Sequence, residues 1–322
     1  MNFKLRRLGQ SDIHVSPVAM GCWPISGITT LDAIREESVR TLRAAIDNGI
    51  NFLDTAYAYG IDGESEQMIG EVVRDCRSDV VIATKGGIHR VGKGQAFDGR
   101  PETIHRECNE SLQRLRTDHV ELYYVHAPDP KVPLADTVGA VSELITAGKV
   151  LTAGASNMST EQLKEFHAIC PLSAVQPHFN MLQQEIATDI APWCRAQQIS
   201  LCVYWPLMKG LLAGKLARSH VFDPKDGRAK YPMFQGEEWQ KNQDFLDDLK
   251  LIAADHNITV AQLVIAWTIL QPGITAALCG AKRDWQIVET AAAMSVSLND
   301  DTLQAIDGAL KKRGPAVSRG AV

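Results

Sequence analysis

The fold is decided by the stretch Ile50-Asn51-Phe52-Leu53-Asp54-Thr55-Ala56-Tyr57-Ala58-Tyr59-Gly60. Its first half is a short apolar run of the kind that forms a fully buried strand, and it ends on a carboxylate. Immediately upstream, Val39, Leu42, Ala45 and Ile46 recur at helical spacing, and Asn48-Gly49 stops that helix in the manner of a glycine cap. A helix, a tight stop, a buried strand and a polar loop follow one another within about twenty-five residues.

Working outward, the same grammar recurs along the chain. Apolar runs stand at 17–21, 79–85, 120–126, 150–154, 173–177, 199–204 and 274–280, in addition to 50–54. Between them lie helical patterns. Pro101 opens one at its first turn, with Ile104, Cys108, Leu112 and Leu115 on one face. Ser159-Thr-Glu-Gln162 has capping-box spacing ahead of Leu163 and Phe166. Strand starts fall roughly 23 to 41 residues apart until the seventh, and a gap of about 75 precedes the eighth. Eight strand–helix units with one late insertion predict an α/β fold, a closed (β/α)8 TIM barrel, rather than an open doubly wound sheet. Residues 1–16, with the Gly9-Gln10-Ser11-Asp12 turn, read as a β-hairpin capping the barrel floor. The Gly- and Pro-rich stretch 206–238 reads as a long functional loop between strands seven and eight. Residues 314–322 read as a tail, and no composition shift divides 1–322 into more than one domain.

Composition narrows the functional classes. The 322 residues carry Lys+Arg 33 against Asp+Glu 38, a net charge of −5, which supplies no general field for nucleic acid or an anionic membrane. No apolar run approaches a bilayer span, and the N-terminus has no secretory pattern. The seven cysteines are scattered without a CxxC pair, which argues against zinc and a disulfide framework and for a cytoplasmic compartment.

In such a barrel the reactive groups sit where the strands end. The second strand ends at Asp54, the third at Lys85 and the fourth at His126, and Tyr59 follows Asp54 in the loop. Taken singly, each has an ordinary reading: a turn cap, a solvated lysine, a core histidine, a loop aromatic. Taken together they do not, because charged groups closing three successive buried runs need partners. An ammonium beside a phenol lowers the phenol's pKa, and a carboxylate keeps that ammonium charged. The expected product is a tuned acid–base pair for a carbonyl accepting hydride or an alcohol releasing it.

At these residues the chain resembles the aldo-keto reductases, (β/α)8 barrels that use NADPH or NADH. The resemblance runs from residues 49–60 through Thr84-Lys85-Gly86, Tyr124-Val125-His126, Gly154-Ala155-Ser156-Asn157, 176–180 and 204–207 to 279–283, in order and over essentially the whole chain. The pattern is that of a short bacterial-type member related to the potassium-channel β-subunit-like branch. The resemblance implies that Tyr59 is the proton donor and that Asp54, Lys85 and His126 complete a tetrad. It also implies that Ser156, Asn157 and Gln176 hold the nicotinamide carboxamide, with Asp54 nearby, and that Tyr204 stacks on the ring. Trp205, Pro206, Leu207 and Gly210 would follow the pyrophosphate, with Lys215 and Arg228 in reach, and Gly21, Trp23 and Gly280 would border the cofactor. Lys282 and Arg283 at a helix start supply cations for a 2′-phosphate, so NADP(H) is favoured over NAD(H). Gln286, Glu289 and Thr290 match adenosine-end positions, although other members carry Arg at 286 and Asn at 290. Trp23, Tyr59 and His126 would meet a small carbonyl or alcohol substrate. Cys22, Tyr57, Trp205 and the segment Ile88 to Phe97 are further candidates, with 92–94 and 98–100 suggesting a mobile loop over the mouth. No metal, nucleic acid or membrane partner is implied, and the oligomeric state is not legible. The alternative in another class is an NADP-binding regulatory subunit that acts through a protein partner.

Overall fold

Residues 3–28, 33–92 and 94–317 are described by a computed structural model. Eight strands build the centre: β1 (Val18–Gly21), β2 (Phe52–Asp54), β3 (Val81–Gly86), β4 (Val120–Val125), β5 (Val150–Ser156), β6 (Leu172–Gln176), β7 (Ser200–Val203) and β8 (Ile274–Gly280). All pair in parallel and close into a barrel, β8 against β1 through Gly280 and Gly21. The (β/α)8 expectation is borne out.

Side chains alternate between two cores, as strand geometry requires. Phe52, Val81, Ala83, Leu122, Tyr124, Ala174, Cys202, Ala276 and Leu278 fill the barrel interior. Tyr123 turns outward into the layer between strands and helices. Room for Tyr124 inside comes from Gly154, where a Cβ would lie 2.4 Å from the Tyr124 ring.

The helices are α1 (Arg35–Asp47), α2 (Glu64–Val72), α3 (Pro101–Leu115), α4 (Leu134–Thr146), α5 (Thr160–Ile169), α6 (Ile190–Ala196), α7 (Gly236–Asp255), α8 (Val260–Leu270), α9 (Asp284–Ala292) and α10 (Asp300–Arg313). Gly49 follows α1 at φ 82°, and α3 has Pro101 in its first turn with Ile104, Cys108, Leu112 and Leu115 buried. Ser159 and Gln162 make the capping box of α5. Among the described residues no single helix is long and apolar enough to cross a membrane.

Arg6–Arg7 pairs antiparallel with His14–Val15 to form the N-terminal hairpin. Its Leu8 is fully buried with the barrel interior, and the Gly9 N–H donates to Ser200 Oγ at 2.8 Å. Gly9 has φ +57°, and a Cβ there would come within 2.5 Å of the Ser173 carbonyl. Ser173 and Ser200 lie at the starts of β6 and β7, so the hairpin plugs the barrel floor.

Three segments are more ordered than the sequence suggested. Ile88 to Phe97, within which 92–94 suggested a mobile loop, pair as an antiparallel hairpin, Ile88–Val91 with Gly94–Phe97; Lys93 lies outside the described residues. The 206–238 stretch contains 3-10 turns at Met208–Ala213, Gly227–Lys230 and Pro232–Phe234, and α7 begins inside it at Gly236. The reading of 314–322 as a tail is corrected for its first residues. Arg313 donates to the Gly314 and Pro315 carbonyls, and the Val317 N–H donates to Glu238, so the chain stays pinned to α7; residues 318–322 lie outside the described residues.

Candidate active site

The strand ends are levelled by backbone bonds that run past the last paired residues. The Cys22 N–H donates to the Asp54 carbonyl, Tyr57 N–H to Lys85, and His126 N–H to Gly86. These bonds bring the tetrad to one place. Lys85 Nζ lies 2.6 Å from Asp54 Oδ1, 2.7 Å from the Thr55 carbonyl and 3.5 Å from Tyr59 Oη. Gln176 Nε2 donates to the other Asp54 oxygen at 2.7 Å. The Tyr59 ring packs edge-on against His126, centroids 6.0 Å apart, and against Trp23 at 5.0 Å. Asp54 and Lys85 are buried, and the Lys85 ammonium faces the Tyr59 and Tyr124 rings.

Burial governs the proton equilibria. It pushes the Asp54 carboxyl up, against the opposing pull of Lys85 and Gln176. It pushes Lys85 down, but the Asp54 carboxylate and Tyr59 more than restore it, and the net direction is up. The ammonium is therefore retained. For Tyr59, burial raises the pKa and the Lys85 ammonium lowers it; burial wins and the net is above the ordinary phenol value. This corrects the expectation that the ammonium alone would bring the phenol down. His126 is held neutral, lowered to about 3 by burial and then by Lys85. Its Nδ1 is buried and has no hydrogen-bond partner among the described residues.

Around this centre the expected cofactor residues fall into two groups. Near Tyr59, Ser156 Oγ donates to the Gln176 carbonyl, Asn157 Nδ2 donates to the His126 carbonyl, and the Tyr204 hydroxyl donates to Asn157 Oδ1 at 3.0 Å. Ser156 and Asn157 do not cap α5, since Ser159 does. Beyond Trp205, the buried Pro206 and the partly buried Leu207, residues Met208, Lys209 and Gly210 take consecutive left-handed conformations, φ 44°, 56° and 90°. The curl is closed by its own backbone, the Met208 N–H donating to the Trp205 carbonyl and the Gly210 N–H to the Leu207 carbonyl. Arg228 donates to the Lys209 carbonyl and pairs with Asp226. The donor and acceptor amides of Asn157 and Gln176 and the ring of Tyr204 fit the carboxamide and ring of a nicotinamide.

The second group lies at the end of β8. A Cβ on Gly280 would sit 2.8 Å from Pro24, so glycine lets the Trp23 turn close on this strand beside Gly21. Lys282 and Arg283 precede α9, but their backbone N–H groups both reach Gln286 Oε1, so Gln286 caps its own helix. Arg283 Nη1 lies 2.5 Å from Glu37 Oε2 of α1, and Lys215 Nζ lies 2.5 Å from Glu289 Oε2. Thr290 is buried, and its hydroxyl bonds to the carbonyls of Gln286 and Ile287 within its own helix.

Tyr57 is turned away, its hydroxyl donating to Glu110 and its ring lying under Arg114. A buried network unseen in the sequence supports the site from behind. Glu66 accepts from Thr84 and pairs with Arg114, while Glu107 accepts from the Gly87 N–H and lies 3.1 Å from His89. These acids occupy apolar-stripe positions of α2 and α3, and polar residues interrupting a buried stripe are the one signal that marks them.

The Aldo/keto reductase family description matches residues 17–311. The chain is 32% identical to Aldo-keto reductase YhdN of Bacillus subtilis (strain 168) over 307 residues, 94% of this chain and 92% of that one. It is 32% identical over 309 residues to the NADH-specific methylglyoxal reductase of Escherichia coli (strain K12), covering 91% and 94%. The solved structure of glycerol dehydrogenase AKR11B4 from Gluconobacter oxydans superposes with a TM-score of 0.91 at 31% identity, over 100% and 99% of the two chains. The family these matches define is one of barrel oxidoreductases that act on small-molecule carbonyl compounds with a nicotinamide cofactor. The chain belongs to the aldo/keto reductase family.

Proposed function

We propose that this protein interconverts a small, oxygen-rich aldehyde or ketone and its alcohol, with Tyr59 moving the proton and NADP(H) bound in preference to NAD(H). The observation that carries the reading is the buried Asp54–Lys85 pair with its ammonium 3.5 Å from Tyr59 Oη. The names of two relatives, a methylglyoxal reductase and a glycerol dehydrogenase, support a short polar substrate. NADP(H) is proposed on the charges of Lys282 and Arg283 at the start of α9.

Ser156, Asn157, Gln176 and Tyr204 would hold the nicotinamide, and the 205–210 backbone the pyrophosphate. When bound, the cofactor supplies hydride to the carbonyl carbon or takes it from the alcohol carbon. Tyr59 Oη gives its proton to the carbonyl oxygen as that oxygen gains charge, and takes it back in the reverse direction. The Lys85 ammonium balances the phenolate, and Asp54 holds Lys85 in place. Neutral His126, its Nδ1 unpaired, and Trp23 orient the substrate oxygen toward Tyr59.

Replacing Tyr59 with Phe keeps the ring and removes the proton. Turnover on a good substrate is expected to fall by roughly 10²- to 10⁴-fold. Dinucleotide affinity, followed by quenching of tryptophan fluorescence, is expected to stay at the wild-type value. Wild-type turnover in Tyr59→Phe would falsify the assignment.

A further inference from the structure

Helices α1 and α9 follow neighbouring strands of the closed barrel, β1 and β8, and pack side by side. Their first turns meet at the mouth, where Glu37 Oε2 lies 2.5 Å from Arg283 Nη1. The other oxygen, Oε1, is 3.6 Å from Arg40. Although in contact with Arg283, Oε2 is sealed from solvent and takes no well-directed hydrogen bond among the described residues. A buried carboxylate oxygen in that condition has lone-pair capacity left over, and leaving it unused is costly. An O–H group pointed at it would relieve the deficit.

The inference rests on the proposed reading, which puts the 2′ position of the adenosine ribose beside Lys282 and Arg283. The two dinucleotides differ only at that position. NAD(H) carries a hydroxyl, which donates; NADP(H) carries a phosphate, which only accepts and adds negative charge. Glu37 must treat the two in opposite ways. Its carboxylate accepts from a 2′-hydroxyl, whereas it repels a 2′-phosphate and already neutralises part of the Arg283 charge that the phosphate would use.

We propose that Glu37 sets the cofactor preference of this enzyme, accepting the 2′-hydroxyl of NAD(H) and narrowing the advantage that Lys282 and Arg283 give NADP(H). The same helical turn supplies its own control. Glu36 carries the same charge one residue earlier and is exposed, so Glu36→Gln changes the net charge equally without touching the Glu37–Arg283 contact.

The test is a titration of the wild-type protein, Glu37→Gln and Glu36→Gln with NADPH and with NADH, read by tryptophan fluorescence at one fixed ionic strength. Glu37→Gln should tighten NADPH and loosen NADH, moving the ratio of the two dissociation constants by about tenfold or more toward NADPH. Glu36→Gln should move it by less than about twofold, since an exposed charge is screened. If the wild type binds both dinucleotides and the Glu37→Gln ratio stays within about twofold of it, the role of Glu37 is wrong while the cofactor site stands. If the wild type binds neither, the cofactor reading itself fails and the inference falls with it.

Discussion

At the scale of single residues, the site is governed by what burial does to protons. Three titratable groups share the mouth with one fixed ammonium, and burial is the largest influence on each. His126, lowered to about 3, is neutral over the working range and contributes a dipole rather than a charge. Tyr59, raised, keeps its proton well into alkaline solution. With Tyr59 as the proposed proton donor, the protonated phenol that reduction would need is present below the Tyr59 pKa and lost as pH rises through it. We expect kcat/KM for reduction to be flat from about pH 5 to about pH 9, and oxidation to gain with rising pH. A reduction profile with a midpoint between about 6 and 7 would instead put the proton donor on a histidine. Asp54, Lys85 and His126 were legible in the sequence because each closes a buried run. The direction of the Tyr59 shift was not, since it depends on how deeply the loop carrying it is packed against Trp23 and His126. Glu37 was not legible either; on α1 it reads as an acid favouring a helix start until α9 is laid beside it.

At the scale of elements, the hairpin 88–97 is tied to α3 through one carboxylate. Glu107 is buried, accepts from the Gly87 N–H at 2.8 Å and faces His89 of the hairpin at 3.1 Å. Burial raises it from 4.5 to about 7, against the Gly87 bond and Arg106. The folded protein thus holds this proton more tightly than the unfolded chain does. Stability therefore falls as pH rises from about 4.5 to about 7, and the cost of the ionised group is complete above that window. Glu107→Gln keeps an acceptor for Gly87 and removes the charge. In urea unfolding it should gain up to about 3 kcal/mol over wild type near pH 8 and little near pH 4.5. An equal difference at both pH values would show that packing, not ionisation, controls this joint. The glycines at 92 and 94 suggested a loose loop because turn signals are local. The pairing of Ile88–Val91 with Gly94–Phe97, and its anchor on Glu107, require α3 to be in place.

At the scale of the whole molecule, the closed barrel separates stability from chemistry. The floor is sealed by the N-terminal hairpin, whose Leu8 enters the interior cluster, while the proposed reacting groups stand at the opposite end of the same strands. Leu8→Ala removes a fully buried side chain from that plug and is expected to cost about 2–5 kcal/mol in denaturant unfolding. Below the unfolding transition, kcat and dinucleotide affinity should match the wild type. A selective loss of turnover with stability unchanged would mean that the floor communicates with the mouth.

The sequence by itself determined the order of strands and helices, the barrel they close into, and the four residue types that face its mouth. It could do so because hydrophobic period, glycine and proline stops, and charged strand ends are local signals, and a parallel barrel repeats them eight times. Only the tertiary structure decided which charges meet. Glu37 with Arg283, Lys215 with Glu289, and Glu66 with Arg114 each join residues at least 48 positions apart in the chain. Whether a cation at the mouth is open to a ligand or already neutralised depends on which helix lies beside it, and pairing across helices leaves no periodic mark in the chain.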